Sequence, residues 1–295
     1  MTPEGRPSSC SHLVDLPQLL NAAQNVEAEA DTTEDLTLLV RAASSLGGAR
    51  PKAQPDGSLA IAKFPSTADE PSDRVPQWEH AALMMARTCG ITVPGFELVS
   101  VEAARGLVLV VDRFDRARER RVGYISALTM LEASDGDERA YTELAEALAP
   151  GSPTAERDLR ELWRQMVFGT LISNTDDHLR NHGFLRRANG WQLSPAFDLN
   201  PNPDPGLKRF ATLVDVGAGD QNRIETAPDV AAYFRLDPRA ARAVLAEVAD
   251  TTERWREFAR DSGLSEEEIE WMAHAFEHEE AAAARRLISS STRSA

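Results

Sequence analysis

Apolar and polar residues follow two different patterns along the chain. Before residue 114 short apolar runs alternate with turn-forming residues, whereas after it apolar residues recur mostly at helical spacing. The first pattern is typical of strands and the second of amphipathic helices. The sequence therefore predicts an α+β fold, with a β-rich N-terminal lobe over 1–113 and a mostly helical C-terminal lobe over 114–295.

The same patterns predict the individual elements. Strands are predicted over 58–64, 91–101 and 107–114, and helices over 16–26, 76–88, 124–134, 138–149, 155–173, 228–234, 237–250, 251–262 and 264–288. Asn189-Gly190 separates two short apolar runs, which is a strong signal for a β-hairpin. A short strand is also predicted over 210–216, within a segment rich in proline and glycine.

The most informative polar segment is Asn174-Thr175-Asp176-Asp177-His178-Leu179-Arg180-Asn181. Asp176 and Asn181 stand five positions apart, and Asp198 follows the predicted hairpin. Kinase catalytic loops have this order: an aspartate accepts the substrate hydroxyl proton, and an asparagine and a later aspartate hold Mg²⁺. A turn cluster stabilised by side-chain hydrogen bonds is the alternative explanation. The position of Asp198 favours the kinase interpretation.

A glycine-containing loop in the N-terminal half is suited to binding phosphate groups. Gly47 and Gly48 follow a helix predicted to start near Thr33, and backbone N–H groups at glycines approach phosphate oxygens closely. Lys52 adds a positive charge at the end of this loop. An ordinary helix end or turn would explain the two glycines equally well.

Lys63 and Glu79 form a second candidate pair. Lys63 stands near the end of a predicted strand, and Glu79 is expected in the first turn of the following helix. Kinases use such a lysine–glutamate ion pair to orient the lysine that contacts nucleotide phosphates. An exposed strand lysine and a favourable charge at a helix N-terminus are the alternatives. The chain has 32 lysine and arginine residues, of which only Lys52, Lys63 and Lys208 are lysine, so a compact ammonium group is favoured at these positions.

Composition limits the classes of protein that fit. The net charge of −15 argues against direct nucleic-acid binding, because a phosphate-binding face is basic. No apolar run reaches the length of a membrane span and the N-terminus has no apolar signal segment, so we expect a cytoplasmic protein. Cys10 and Cys89 are expected to be free thiols, because two cysteines are too few for a disulfide framework.

A zinc-binding pattern is also present near the C-terminus. His274-Ala275-Phe276-Glu277-His278 has the spacing of one class of zinc peptidases. The surrounding glutamates and alanines favour an exposed helix surface instead. His178 and His182 have a similar spacing, but the catalytic-loop interpretation explains that segment better.

Five motifs occur in one order along the chain. They are Ser45-Leu-Gly-Gly-Ala-Arg-Pro-Lys52, Ala62-Lys-Phe-Pro65, Val111-Asp-Arg-Phe-Asp-Arg116, the loop 174–181 and Pro195-Ala-Phe-Asp198. Together they resemble the HipA family of serine/threonine kinase toxins, from about Ser44 to the C-terminal helices. The resemblance implies a two-lobed fold similar to protein kinases and, more distantly, to phosphoinositide kinases.

The family resemblance assigns roles to residues of this sequence. It implies an ATP- and Mg²⁺-dependent kinase in which Asp176 is the catalytic base, Asn181 and Asp198 are Mg²⁺ ligands, and Lys63 contacts the nucleotide phosphates. It implies adenine contacts from a hinge at Asp112 and Phe114, a position beside the nucleotide for His178, and autophosphorylation at Ser45, with Ser44 as the adjacent alternative.

The resemblance also implies partners. Family members phosphorylate proteins, in some cases an aminoacyl-tRNA synthetase, and are restrained by a helix-turn-helix antitoxin of the HipB type that binds operator DNA. Full-length members carry an N-terminal subdomain before the kinase, and most of it is absent here. We therefore expect either a separate polypeptide, as in split systems, or a truncated form.

Two other functions remain open from the sequence. The first is a small-molecule or lipid kinase, since similar loops occur in such enzymes. The second is a pseudokinase that binds a partner without catalysis. The presence of Lys63, Asp176, Asn181 and Asp198 disfavours the second, because a binding module does not need all four.

Overall fold

The chain contains two compact units. The computed structural model describes residues 16–27, 30, 32, 34, 52–53, 60–65, 74–101, 107–117, 120–206, 210–215 and 224–289. The first unit consists of residues 1–80 and 95–113, and the second of residues 81–94 and 114–295. The predicted lobes differ from these units in one segment, 81–94, which groups with the second unit.

The first unit is built on a four-stranded antiparallel sheet. Its strands are β1 (Lys52–Ala53), β2 (Ala60–Lys63), β3 (Phe96–Ser100) and β4 (Leu107–Asp112), in the order β1-β2-β4-β3. β4 has a neighbour on each edge, and residues 108–111 are buried. Burial on both faces explains why this strand is almost continuously apolar rather than alternating.

Helix α1 (Leu16–Glu27) packs on one face of this sheet. The buried cluster between them consists of Leu19, Leu20, Ala23, Ala60, Ala62, Phe64, Val101, Val108 and Val110. Because side chains alternate along a strand, Ala60 and Ala62 point to this cluster while Lys63 points to the opposite face. The helix predicted over 16–26 is confirmed.

Helix α2 (Val75–Thr88) begins in the first unit and continues into the second, and it matches the helix predicted over 76–88. The remaining elements belong to the second unit. Its strands are β5 (Arg116–Ala117), β6 (Arg120–Arg121), β7 (Tyr124–Ser126), β8 (Arg139–Ala140), β9 (Gly183–Arg187), β10 (Gly190–Leu193) and β11 (Thr212–Leu213). Its helices are α3 (Ala127–Met130), α4 (Tyr141–Leu148), α5 (Ala155–Leu171), α6 (Ala227–Val230), α7 (Pro238–Thr252), α8 (Trp255–Asp261), α9 (Glu266–Trp271) and α10 (Glu279–Ser289), with short 3-10 turns at Ile224–Thr226, Ala231–Phe234 and Met272–Ala275.

α5 carries much of the core of the second unit. Leu159, Leu162, Trp163, Met166 and Val167 are buried at the spacing of one helix face, and Phe168 and Leu171 are buried as well near the end of the helix. The Trp163 ring meets Phe234 edge-on, with ring centroids 5.3 Å apart. The helix ends at Leu171, directly before the polar loop at 174–181.

The predicted hairpin is confirmed. β9 and β10 pair antiparallel, with Gly190 opposite Arg187, and β7 extends them to a three-stranded sheet. Gly190 has a φ of +147°, and a Cβ there would lie 1.8 Å from the carbonyl oxygen of Gly151. Only glycine fits this turn, which explains the Asn-Gly pair in physical terms.

Two predicted elements near the loop are partly wrong. The helix expected over 124–134 is a strand over Tyr124–Ser126, paired with β9, followed by the short helix α3. The strand expected over 91–101 begins only at Phe96. Thr92 is outside the ladder because its N–H donates to Glu161 Oε1 at 2.6 Å and its carbonyl accepts from Ala196 N–H at 2.8 Å.

The helix predicted over 264–288 is interrupted. It is observed as α9, a 3-10 turn and α10, with a break at 276–278. The Phe276 ring stacks on Trp255 there, with centroids 4.5 Å apart and planes 7° from parallel. Burial of Phe276 accounts for the break, because tertiary packing overrides local helix propensity.

Cys89 is a buried free thiol, and burial raises its pKa to about 12. The prediction for Cys10 lies outside the described residues.

Among the helices within the described ranges, none is both long and apolar enough to cross a membrane.

Candidate active site

Lys63 and Glu79 form an ion pair within the first unit. Lys63 ends β2 on the face opposite the α1 cluster, and the Glu79 carboxylate comes from α2. Their side chains are 14% and 4% exposed, so each charge needs the other as compensation. The predicted pairing is present. Glu79 is not in the first turn, however, since α2 begins at Val75, and a helix-terminus charge effect does not explain it.

Lys52 lies opposite Lys63 in the register of β1 and β2. The other candidates of the glycine loop, Ser45, Gly47 and Gly48, lie outside the described residues.

The two predicted hinge residues belong to different units. Asp112 ends β4, where its N–H donates to the Gly95 carbonyl at 2.7 Å. A Cβ on Gly95 would lie 2.0 Å from Asp112 Oδ2, so a larger residue there would displace the Asp112 side chain. Phe114 lies in the second unit, with its ring 5.4 Å from Phe197 and 6.1 Å from Tyr124. Phe114 therefore contacts the residue that precedes Asp198.

The catalytic-loop segment begins with a sharp change of backbone direction. Ser173 has a left-handed φ of 52°, and Asn174 N–H donates to the Gly169 carbonyl at 2.8 Å. These two features end α5 and turn the chain into the loop.

Within the loop, the backbone folds back on Asp176. His178 N–H donates to the Asp176 carbonyl at 2.9 Å, and Asn181 Nδ2 donates to the same oxygen at 3.0 Å. Asp176 itself is exposed. The two residues that stand five apart in sequence are therefore adjacent in space, with the Asp176 carboxylate facing solvent. His178 is half-buried, and its Nδ1 has no hydrogen-bond partner among the described residues.

Asp198 is held by contacts on both sides of it in sequence. Its backbone is left-handed, with a φ of 59°, a conformation that aspartate tolerates better than most residues. Asn200 Nδ2 lies 3.5 Å from Asp198 Oδ1, and Asn200 N–H donates to Asn174 Oδ1 at 3.3 Å. On the other side, Ala196 N–H donates to Thr92. Asp198 is thus linked to the start of the loop.

A buried network beneath the loop was missed by sequence reasoning. The Asp177 carboxylate accepts a hydrogen bond from the Tyr141 hydroxyl and lies 3.2 Å from His182 Nε2, while its backbone carbonyl accepts from Thr212 Oγ1. Tyr141 and Thr212 are 36 and 35 positions away, so no local pattern could identify them. The sequence feature that could have pointed to this network is the second of the two consecutive aspartates, Asp176-Asp177.

Local electrostatics support this arrangement. Burial raises the pKa of Tyr141 well above its usual value, and the Asp177 carboxylate raises it further, so Tyr141 stays a hydrogen-bond donor. At the exposed edge of the loop, Arg180 makes two hydrogen bonds to Asp135 and lowers the pKa of that carboxyl. The loop is therefore anchored both below and at its edge.

The zinc-peptidase pattern, which the surrounding sequence disfavours, does not lie on one continuous helix. His274 and His278 are separated by the break at 276–278, and Glu277 pairs with Arg256. The ranges that the structure describes contain no group of three or more His, Cys, Asp or Glu side chains able to hold a metal ion. Magnesium needs fewer protein ligands, because it keeps several waters and binds phosphate oxygens.

Asn181 and Asp198 suit magnesium in their donor atoms. Because Asn181 uses its amide nitrogen to bind the Asp176 carbonyl, its oxygen Oδ1 is the atom left for a cation. Asp198 supplies a carboxylate, and Mg²⁺ prefers such oxygen ligands.

The fold and these residues define a class of protein. An antiparallel sheet with a lysine–glutamate pair, and a helical unit with a loop of the order Asp176, Asn181, Asp198, are features of protein-kinase-like folds. The chain is similar to HipA of Shewanella oneidensis MR-1, which was solved in a complex with HipB and operator DNA. The TM-score is 0.61 and the sequence identity 18%, and the match covers 82% of this chain and 64% of that one. It is also similar to the proinflammatory kinase CtkA of Helicobacter pylori, with a TM-score of 0.60 and 17% identity over 83% of this chain and 94% of that one.

Residues 44–256 match the HipA-like C-terminal domain, and the chain belongs to that family. A protein of Sinorhizobium fredii named "Putative kinase Y4dM" is 32% identical over 169 residues, which are 52% of this chain and 40% of the relative. A "Putative kinase" of Haemophilus influenzae is 24% identical over 143 residues, 43% of this chain and 42% of the relative. The matches span less than half of either relative. The predicted fold and family are confirmed.

Proposed function

We propose that the chain is an ATP- and Mg²⁺-dependent protein kinase that phosphorylates serine or threonine. The observation that carries the proposal is the loop geometry, in which Asn181 binds the backbone of the exposed Asp176. Kinase chemistry is mostly positioning and charge neutralisation, and it needs this small set of groups. Family membership and the kinase names of the relatives support the same conclusion.

Asp176 would act as the general base. Its carboxylate accepts the proton of the substrate hydroxyl, whose oxygen forms a bond to the γ-phosphorus of ATP. The bond from that phosphorus to the β–γ bridging oxygen breaks, and ADP leaves with the electron pair. The exposed position of Asp176 leaves its carboxylate accessible to a protein side chain.

The other candidates would bind the nucleotide. Asn181 and Asp198 would hold Mg²⁺, which neutralises charge on the phosphates when bound. Lys63, oriented by Glu79, would contact the phosphates. The remaining nucleotide contacts proposed from the sequence are Gly47, Gly48, Lys52, Asp112, Phe114 and His178.

The proposed partners rest on family membership and on the net charge of the chain. The HipA relative is solved with HipB and operator DNA, which supports a HipB-like antitoxin for this chain. A net charge of −15 suits a basic protein partner better than direct contact with DNA. An aminoacyl-tRNA synthetase is the candidate protein substrate.

Radiolabelled ATP distinguishes the remaining functions. Three proteins are compared: the wild type, Asp176→Asn and the control Asp250→Asn, which changes an exposed carboxylate of α7. Each is incubated with radiolabelled Mg²⁺-ATP and one class of acceptor, which is synthetases, lysate proteins or lipids. We expect label on protein with the wild type and the control, and its loss in Asp176→Asn. Label found exclusively on lipid or small molecules would indicate the other kinase class. Nucleotide binding without any turnover would contradict the proposal and indicate a pseudokinase.

A further inference from the structure

The two consecutive aspartates of the loop face different surroundings. Asp176 is exposed, whereas Asp177 is only 7% exposed. Burial of a carboxylate is costly unless its oxygens find hydrogen-bond or charged partners. The side-chain partners of Asp177 are therefore informative about why an acid stands at this position.

The two carboxylate oxygens of Asp177 have different surroundings. Oδ2 accepts from the hydroxyl of Tyr141, and Oδ1 lies 3.2 Å from His182 Nε2. The rings of Tyr141 and His182 also meet edge-on, with centroids 5.1 Å apart. The three residues are each less than one-tenth exposed, so they form one enclosed cluster under the loop.

The cluster is tied to regular structure on its far side. Tyr141 is the first residue of α4, directly after β8, and β8 pairs in parallel with β11. Thr212 of β11 donates to the Asp177 carbonyl, and the adjacent Ala211 N–H donates to the Thr175 carbonyl at 3.1 Å. Side chain and backbone of Asp177 are therefore fixed by two segments that also pair with each other.

We propose that Asp177 is a positioning residue, which fixes the loop through Tyr141 and Thr212 so that the adjacent Asp176 carboxylate keeps its reactive orientation. Asp177 touches no substrate in this proposal. Its peptide neighbours are Asp176 and His178, so a tilt at residue 177 displaces the groups that react. The catalytic part of the inference rests on the proposed kinase function, whereas the loop-fixing part does not.

Tyr141→Phe is the most direct test, because it deletes the hydroxyl donor and keeps the ring that packs on His182. Asp177→Asn and Asp177→Ala form a graded pair, since asparagine keeps the volume and one acceptor. Thr251→Val is the matched control. It deletes a buried hydroxyl that donates to the Glu247 carbonyl at 3.0 Å within α7, away from the loop.

We expect kcat for phosphotransfer to fall about tenfold or more in Tyr141→Phe, because small misplacements of reacting groups are costly. KM for ATP should change by less than about twofold, since nucleotide binding is proposed for other residues. Asp177→Asn should retain more activity than Asp177→Ala. Thr251→Val should keep the wild-type kcat. An unchanged kcat in Tyr141→Phe, or a loss matched by Thr251→Val at equal thermal stability, would overturn the proposal.

Hydrogen exchange separates this inference from the kinase proposal. Amide exchange of 174–181 is measured without nucleotide, and Tyr141→Phe should accelerate it there and not in α7. If the wild type transfers no phosphate, the proposed function fails, and exchange alone decides whether Asp177 fixes the loop. Unchanged exchange at 174–181 in Tyr141→Phe would refute the loop-fixing role whatever the activity.

Discussion

The two units hold their candidate residues by different means. In the first unit, the register of a regular sheet places Lys63, and one helix residue, Glu79, compensates its charge. In the second unit, Asp176 and Asn181 lie in a loop without regular structure. Hydrogen bonds from several segments hold that loop, including those from Asn202 to Thr175 and from Thr212 to Asp177.

This difference has a functional consequence. A sheet residue whose charge is compensated by a helix residue should lose its role when either charge is removed, because a buried charge without its counter-charge is costly. A loop held by many hydrogen bonds should keep its overall fold when one is lost, although kcat should still fall where the lost bond positions Asp176. The two units should therefore respond differently to single substitutions.

The largest effects are expected at the two aspartates of the second unit. Asp176→Asn should lower turnover by about 10² or more and leave ATP affinity nearly unchanged, as expected for a lost general base. Asp198→Asn should instead weaken Mg²⁺-ATP binding, because it removes a proposed metal ligand. Calorimetry with Mg²⁺-ATP and turnover assays on both variants test this contrast. Full activity in Asp176→Asn, or unchanged affinity in Asp198→Asn, would contradict the assigned roles.

A smaller effect is expected for the lysine of the first unit. Lys63→Arg keeps the charge but replaces a compact ammonium group with a planar fork beside Glu79, so phosphotransfer should fall about tenfold. Lys208→Arg makes the same chemical change at a lysine that is not among the proposed site residues and lies outside the described residues, and it should be close to silent. If both variants phosphorylate equally well, Lys63 has only a structural role.

The sequence predicted those secondary-structure elements that are determined by residues close to one another along the chain. The hairpin followed from Asn189-Gly190, because the turn itself requires glycine at position 190. The face of α5 was visible as helical spacing. The Lys63–Glu79 pairing was predicted because a strand followed by a helix is the usual kinase arrangement, although the position of Glu79 within α2 was misjudged.

The features that sequence could not show depend on distant contacts. The strand Tyr124–Ser126 exists because it pairs with Gly183–Leu185, and the break in the last helices accompanies the stacking of Phe276 on Trp255. The Asp177 network likewise joins residues brought together by the pairing of β8 and β11. Local propensity is a weak guide wherever such long-range packing decides the conformation.

A regulatory prediction concerns Ser45, which lies outside the described residues and heads the predicted glycine loop. Phosphorylation would add a charge of about −1.5 to −2 beside backbone groups that must approach ATP phosphates. We therefore expect autophosphorylation to switch the kinase off, and Ser45→Asp to weaken ATP binding several-fold. Ser289→Asp, at an exposed serine of α10, is the control.

Intact mass after incubation with Mg²⁺-ATP tests the Ser45 prediction directly. A mass increase that is absent from the Ser44→Ala, Ser45→Ala double variant supports it. An active wild type that gains no phosphate would remove the switch, as would wild-type ATP affinity in Ser45→Asp.

The smallest effect is expected at Glu161, which links α5 to the segment before Asp198. Burial raises the pKa of this carboxyl, so the folded protein binds more protons than the unfolded chain above the ordinary glutamate pKa of about 4.3. Stability should therefore fall as pH rises from that value through the raised pKa of the folded state, and then level off. Glu161→Gln should flatten this decline, because an amide does not titrate in this range. Its oxygen can still accept from Thr92 N–H, so the contact itself is kept.

Urea unfolding at a series of pH values measures the Glu161 effect, with Glu267→Gln, an exposed glutamate of α9, as the control for loss of one charge. Glu161→Ala leaves Thr92 N–H without its acceptor and should cost about 1–3 kcal/mol at every pH. Because the Thr92 carbonyl binds Ala196, this variant should also weaken Mg²⁺-ATP binding slightly, by less than about tenfold. Parallel pH curves for the wild type and Glu161→Gln would contradict this prediction, because they would show that the Glu161 carboxyl carries no charge penalty in the folded protein.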